Sequence, residues 1–221
     1  MATRQVLAEL VAAYRARAAG QAITIEAVGG VDAARRVQAG EAFDVVVLAS
    51  DAIDKLVDSG QLRAGSRVDL VRSGVAAAVR AGASLPDLST EASVRAAVLA
   101  AGSISCSTGP SGVALGQLFE RWGIADQIAS RMVQAPPGVP VGALVARGEV
   151  ALGFQQLSEL LHVEGITVAG QLPPAIQIVT TFSAGIPVNT ARADEVRALL
   201  DFMVSPAADE AKRRQGMEPA R

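Results

Sequence analysis

Val68-Asp-Leu-Val-Arg-Ser-Gly-Val-Ala-Ala-Ala-Val79 is extended, rich in valine and alanine, and broken in its middle by Gly74. It lacks the short, helix-flanked form of the strands before it and reads as two strands or as one long crossing segment. A second run of the same kind, Ile176-Gln-Ile-Val-Thr-Thr-Phe-Ser183, lies beyond the middle of the chain. A chain uses such segments to cross between lobes and return. The expected organisation is therefore a discontinuous first lobe, residues 1–75 plus 184–221, and a second lobe, 76–183, with hinge strands near 68–79 and 176–186. A length of 221 residues, about one and a half average domains, admits that arrangement.

Upstream, Val6, Leu7, Leu10, Val11 and Tyr14 recur at helical spacing, with Arg15 and Arg17 near the end and Gly20 as the stop. Ile23-Thr-Ile-Glu-Ala-Val28 alternates like a strand and ends in Gly29-Gly30, and a helix from about Asp32 to Gln38 closes at Gly40. Val45-Val-Val-Leu48 is a continuous apolar run suited to a parallel strand covered on both faces. A helix over 52–59 follows, capped by Ser50 or Asp51 and ended by Gly60. This βαβα rhythm sets the class as α/β. Downstream, the pattern predicts a helix over 91–101 with Thr90 as N-cap, a strand over 103–107 and a helix over 113–122. A strand beginning at Val133, a helix over 141–147, a strand over 150–154 and a helix over 157–161 come next, and two helices, 194–203 and 206–215, finish the chain.

Composition narrows the function. Hydrophobic residues make up 50% of the chain but aromatics only 3%, so the core is built from closely packed aliphatic side chains and disorder is excluded. Twenty basic against 22 acidic residues, with no basic run, argue against nucleic acid as a partner. The apolar windows are too short and too interrupted to span a bilayer. One cysteine, Cys106, permits no internal disulfide, and one histidine, His162, excludes sites needing two imidazoles; no metal or cofactor is expected. No secretory signal precedes the first helix, so the protein reads as cytoplasmic as written, or as periplasmic if the start is displaced or the signal removed.

Four turns share one design, in which a strand ends, small or imino residues follow and a helix begins: Gly29-Gly-Val-Asp32, Ser107-Thr-Gly-Pro-Ser-Gly112, Pro136-Pro-Gly-Val-Pro140 and Phe154-Gln-Gln-Leu157. A helix amino terminus carries about half a positive charge and unbonded N–H groups, so such turns can hold an anion. The same punctuation is also ordinary in α/β chains. Thr3 and Arg4 stand at the mouth of the first helix. Candidate ligand residues are Thr3, Arg4, Gly29, Gly30, Val31, Ser107, Thr108, Ser111, Gly112, Gly138, Val139, Gln155 and Gln156. Candidate acid–base groups are Asp32, Asp51, Glu159 and His162, while Cys106 reads as a small core residue and His162 also as a favourable helix-end cation.

The segments Gly40-Glu-Ala-Phe-Asp-Val-Val-Val-Leu-Ala-Ser-Asp51, Thr108-Gly-Pro-Ser-Gly112, Phe119-Glu-Arg-Trp-Gly-Ile124, Leu144-Val-Ala-Arg-Gly-Glu-Val-Ala-Leu-Gly-Phe154 and Ser205-Pro-Ala-Ala with Gly216-Met together resemble the molybdate-type substrate-binding proteins of ABC transporters. The resemblance covers nearly the whole chain. It implies a two-lobed type II periplasmic-binding-protein-like fold, each lobe a sheet flanked by helices, closing over a small anion. It also implies a permease partner and a first strand ahead of the first helix, which this sequence lacks. Carried over residue by residue, the family's ligand serines fall at Ala2 and Gly30, its backbone-amide ligands at Ser111 and near Gly138, and its tyrosine at Gln156. Two hydroxyls and a phenol are lost, which weakens the case for a tetrahedral oxyanion such as molybdate or tungstate. Paired glutamines, Ser-Thr and Arg4 suit planar carboxylates instead. The pattern Gly29-Gly-Val-Asp, Ser-Thr-Gly-Pro-Ser-Gly and Phe-Gln-Gln-Leu-Ser-Glu also resembles the aconitate-isomerase-like branch of this fold, which implies a proton shift on a bound tricarboxylate. The expected function is thus binding of a small anion, a carboxylate, in the cleft between lobes, with isomerisation, molybdate or tungstate binding, and a cytoplasmic ligand sensor as alternatives.

Overall fold

The computed structural model describes residues 2–18, 22–136 and 138–221. Met1, Gly20, which was expected to stop the first helix, and Pro137 of the proline turn lie outside them. In chain order the elements are α1 (Arg4–Arg17), α2 (Gly30–Gln38), β1 (Val46–Ala49), α3 (Ser50–Asp58), β2 (Val68–Arg80), α4 (Glu91–Ala100), β3 (Ile104–Cys106) and α5 (Pro110–Arg121). Then come α6 (Ala125–Ile128), α7 (Val141–Ala146), β4 (Leu152–Gln156), α8 (Leu157–Leu160), β5 (Ile166–Gln171), β6 (Val179–Gly185), α9 (Ala193–Val204), α10 (Asp209–Arg214) and β7 (Glu218–Pro219). The chain forms two compact units, residues 1–73 with 180–221, and residues 74–179.

In the first unit β6 lies between β1 and β2, and β7 adds to β2 at Val71 and Arg72. The valine run of β1 is covered on both faces. Val46 and Leu48 pack with Ile53 and Leu56 of α3, whereas Val45 and Val47 pack against the cluster of α1 and α9. Its partner β6 is antiparallel, however, with Leu48 opposite Ser183, so double coverage arises here without the parallel ladder that the run suggested. The apolar stripe of α1 is buried as its spacing predicts, at Val6, Leu10, Val11 and Tyr14. Helices α2 and α3 end at Gly40 and Gly60, whose φ angles of 82° and 73° lie in the left-handed region that a side chain would disfavour.

Several expectations are corrected. Residues 22–29 form no ladder among the described residues: Ile23 packs against the cluster of α1 and α9 while Ile25 and Glu26 are exposed, and Glu26 is held by Arg36 at 2.7 Å. Neither Ser50 nor Asp51 caps α3, because β1 runs directly into the helix and both fall within its first turn, with Ala49 as N-cap. Val133 begins no strand. Its amide bonds the Ile104 carbonyl at 2.7 Å, and Met132 makes one isolated bridge, after which Pro136 offers no donor to continue. The run at 176–183 enters its strand only at Val179, since Gln177 itself does a strand neighbour's work. Its Oε1 accepts from Val75 N at 3.0 Å and its Nε2 donates to Val75 O at 3.2 Å.

In the second unit β2 continues unbroken through Gly74 and pairs antiparallel with β4 and β5, while β3 adds to β4 in parallel. One face of this sheet, Val75, Ala77, Ile104, Leu152 and Phe154, packs against α4, α5 and α6. On the other face Ala76 and Ala78 meet Leu160 of α8, and Gly153 lies under Val141 and Val145 of α7. The start of α4 carries a reciprocal cap: Thr90 Oγ1 accepts from Ser93 N at 3.1 Å, and Thr90 N donates to Ser93 Oγ at 3.0 Å. Thr90→Ala is expected to cost about 1 kcal/mol and to lower the thermal midpoint by about 2–4 °C in a calorimetric scan.

Candidate functional site

The most elaborate of the four turns sits where β3 hands over to α5. The helix opens at Pro110, three residues earlier than its apolar pattern suggests, because proline at the first helical position needs no N–H partner and its φ already suits a helix. Ser107 and Ser111 are thereby placed one turn apart, with their hydroxyl oxygens 2.9 Å from each other. Ser111 is buried, and Thr108 is exposed. Two hydroxyls have two protons, and their mutual bond uses one, so the pair retains one O–H donor. The first turn of α5 has no acidic residue, which leaves the positive end of this helix uncompensated by its own side chains. Gly112 has no side chain for a structural reason: a Cβ there would land on the Ser107 carbonyl oxygen.

Gln155 and Gln156 are both 4% exposed and belong to β4 itself, which extends two residues further than the apolar run Val150–Phe154 suggests. Alternation along a strand therefore sends them to opposite faces. Gln156 lies opposite Val75 and shares a face with Phe154, whose ring packs edge-on against Phe119 of α5 at 6.3 Å. It thus belongs to the α5 face of the sheet. Gln155 lies opposite Ala76, on the α7 face, and its Oε1 accepts from Gly142 N at 3.2 Å, in the first turn of α7. The same side chain hydrogen-bonds Glu159, four residues further along the chain in α8. Burial pushes the Glu159 carboxyl above the usual carboxylate range, and the bond from Gln155 offsets part of that rise. Gly138 precedes α7 with φ 77°, and Val139 packs beside Ala135 and Val141. Within the second unit the fold therefore brings Ser107, Ser111 and Gln156 to one face and Gln155 and Glu159 to the other.

In the first unit Thr3 is buried as the N-cap residue of α1, and its carbonyl accepts from Leu7 N at 2.9 Å. Arg4 is exposed, and the first turn of α1 also lacks an acidic residue. Gly29 is the N-cap of α2, with Gly30 and Val31 in its first turn. Asp32 stands in that same turn, exposed and paired with Arg35 at 3.2 Å, where it offsets the helix-end charge an anion would use. Asp51 is exposed in the first turn of α3, and His162 is exposed just beyond α8. Of the four acid–base candidates only Glu159 is withdrawn from solvent and held by a neighbour. The Cys106 thiol is pushed up to about 12 by burial, so it is no thiolate at neutral pH and serves the core as expected. Among the described residues no group of three or more His, Cys, Asp or Glu could hold a metal ion, and no helix is long and apolar enough to cross a membrane.

Sequence reasoning missed the division of labour between the two glutamines. Ending β4 at Gln156 instead of Phe154 would have revealed it, since the alternation Leu152, Phe154, Gln156 against Gly153, Gln155 is already in the sequence.

Comparison with known proteins places these features in a lineage. Residues 1–218 match the family model described as bacterial extracellular solute-binding protein. An aconitate isomerase from Pseudomonas sp. is 40% identical over 185 residues, which is 83% of this chain and 70% of that protein. The periplasmic molybdate-binding protein of Azotobacter vinelandii superposes with a TM-score of 0.81 at 21% identity, covering 99% of this chain and 96% of that one. The substrate-binding domain of a molybdenum ABC transporter from Clostridium difficile gives 0.77 at 15% identity, covering 100% of this chain and 96% of that one. With a type II periplasmic-binding-protein fold and a family match running almost end to end, the chain belongs to the bacterial extracellular solute-binding proteins.

Proposed function

We propose that this protein binds a small carboxylate anion, and that Ser107, Thr108, Ser111, Gly112 and Gln156 of the second unit are among its ligand contacts. The observation that carries the reading is the Ser107–Ser111 hydroxyl pair at the amino end of α5, a helix with no acidic residue in its first turn. That end offers a partial positive charge and one hydroxyl donor, and Gln156 on the same sheet face adds an amide that can donate to one carboxylate oxygen. In the first unit Thr3, Arg4, Gly29, Gly30 and Val31 are the proposed contacts. Arg4 is the natural partner for a carboxylate, which it can grip with two parallel hydrogen bonds. Gly138 and Val139 would contribute backbone amides. The named activity of the Pseudomonas relative, on a tricarboxylate, favours carboxylates over metal oxyanions as the ligand class. It also supports a second reading, in which the bound tricarboxylate is isomerised. The family match supports work outside the cytoplasmic membrane, with handover of the ligand to an ABC permease.

Thermal-shift and calorimetric titrations against cis-aconitate, trans-aconitate, citrate, sulfate, molybdate and tungstate test the ligand class. A bound ligand at a hundred times its Kd stabilises by about 2.7 kcal/mol, or roughly 5–10 °C here. Stabilisation by a carboxylate is the expected result, and stabilisation by the metal oxyanions alone defeats the reading. Ser111→Ala and Gln156→Leu each remove one hydrogen bond to a charged ligand, worth about 1.5–3 kcal/mol, and should weaken Kd about 10- to 100-fold.

A further inference from the structure

The chain passes between its two units twice, on β2 between Ser73 and Gly74 and on β6 between Val179 and Thr180. We propose that Gln177 is the clamp that fixes the second-unit edge of a hinge at these crossings, by tying β2 to the return segment that feeds β6. Its reach follows from the local sequence. Pro173 and Pro174 hold their φ angles fixed, and a short 3-10 turn over Pro174–Ile176 brings the chain back beside β2. The Gln177 carboxamide lies between the two. Its Oε1 accepts from Val75 N at 3.0 Å and from Ile178 N at 2.8 Å. Its Nε2 faces three acceptors, Val75 O and Leu172 O at 3.2 Å and Gln171 Oε1 at 3.3 Å. With N–H groups on one side and oxygens on the other, the amide fits only one way round.

Val75 is consequently held twice at each of its backbone groups. Its N–H is shared between Gln177 Oε1 and Ile178 O, the latter at 3.1 Å, and its carbonyl accepts from Leu172 N at 3.1 Å as well as from Gln177. Bending β2 at Val75 would break these bonds together. Two residues back, in the first unit, Ser73 is buried and its hydroxyl has no partner among the described residues, so that side chain ties neither crossing. Gly74 stands between them and is shaped by the clamp. A Cβ there would lie 2.6 Å from Gln171 Oε1 and 3.0 Å from Gln177 Nε2, so only glycine leaves the two carboxamides their room. Backbone rotation is thereby left to Ser73–Gly74 and Val179–Thr180, just beyond the clamp. Because Gln177 joins the two crossings, they bend as one hinge and not independently. That restricts the freedom a ligand would have to remove on capture.

The test needs no ligand and is therefore independent of the carboxylate reading. In the full chain carrying Cys106→Ala, nitroxide labels at Asp58→Cys and Arg95→Cys, exposed helical positions in the two units, report the distribution of inter-unit distances by pulsed electron resonance. Amide exchange followed by NMR reports Val75 and Ile178. Gln177→Leu should broaden the distance distribution beyond the wild-type width and speed exchange at both amides about 5- to 10-fold. Gly74→Ala spares every polar group. The atoms its Cβ meets are the ends of flexible side chains that can swing away, so the fold survives while the clamp is displaced. It should give the same broadening, and it keeps the test decisive if Gln177→Leu does not fold. The double variant should broaden the distribution no further than either single change, because both remove one interlock. Faster exchange with an unchanged distance distribution makes Gln177 a local staple and overturns the inference. Unchanged exchange at Val75 and Ile178 overturns the clamp itself, and additive broadening in the double variant separates Gly74 from Gln177 and overturns their interlock.

Discussion

Gly112→Ala is expected to lower the thermal midpoint by about 6–12 °C, although the substitution places a better helix former in a helix. Alanine in place of glycine ordinarily stabilises a helix interior by about 0.8–1 kcal/mol. Position 112 reverses that sign because the added methyl group would occupy the place of the Ser107 carbonyl oxygen, a backbone atom that cannot swing aside as a side chain can. Either α5 shifts outwards or the turn from Ser107 to Gly109 unfolds, and overpacking of this kind costs about 3 kcal/mol. The turn also holds Ser107 Oγ 2.9 Å from Ser111 Oγ, so the same substitution should abolish carboxylate binding along with stability. Gly116, one turn further along the same helix, supplies the contrast. A Cβ there meets nothing within 4 Å, and Gly116→Ala should raise the midpoint by about 2–4 °C. If both alanines raise the midpoint, the close approach at Gly112 is wrong, and with it the geometry assigned to the hydroxyl pair.

The contrast between Gly112 and Gly116 shows what a sequence withholds. The sequence places Gly112 in the turn before the helix and Gly116 within it, but that the Ser107 carbonyl, five residues upstream of Gly112, leaves no room for a Cβ there emerges only from the path of the turn. Local signals were legible wherever the chain satisfies itself locally. Thr90 caps α4 through Ser93, three residues away, and the stripe of Val6, Leu10, Val11 and Tyr14 follows from 3.6-residue spacing. Signals that depend on a remote partner were not. Residues 23–28 alternate like a strand, yet a strand exists only as a paired ladder and they join none among the described residues. Ile166-Thr-Val-Ala169 offered β-branched residues between two glycines, but its pairing to β2 is interrupted by a register shift at Ala77–Ala78, which blurs the alternation. The candidate site follows the same division. The turn at 107–112 announces itself through Ser, Thr, Gly and Pro, whereas the separation of Gln155 from Gln156 depends on where β4 ends.

Lys212→Met should stabilise the protein by about 2 kcal/mol at pH 7, raising the thermal midpoint by roughly 4–8 °C. Lys212 sits in α10, a helix that packs against α1 and whose Ala211 joins the cluster of Val6, Leu10 and Met217. Its side chain is fully buried, and its Nζ has no hydrogen-bond partner among the described residues. An ammonium group so placed has given up its hydration for little in return. Asp209, one turn back, favours its charge, but Asp209 is already engaged by Arg221, and Arg221 itself disfavours a further cation. Burial outweighs these terms and brings the Lys212 pKa below its ordinary 10.5. The unfolded chain, with its lysine at the ordinary value, therefore binds more protons than the folded one between the two pKa values, and wild-type stability rises with pH through that window. Methionine matches the length of the lysine stem, fills the same channel and does not titrate. The advantage of Lys212→Met should accordingly be largest near neutrality and shrink as pH approaches 10.5, a convergence that denaturant titrations across pH 7 to 10 would reveal. A constant gap between the two proteins would mean that the gain comes from packing alone. A destabilised variant would mean that the ammonium group is held by partners strong enough to repay its burial.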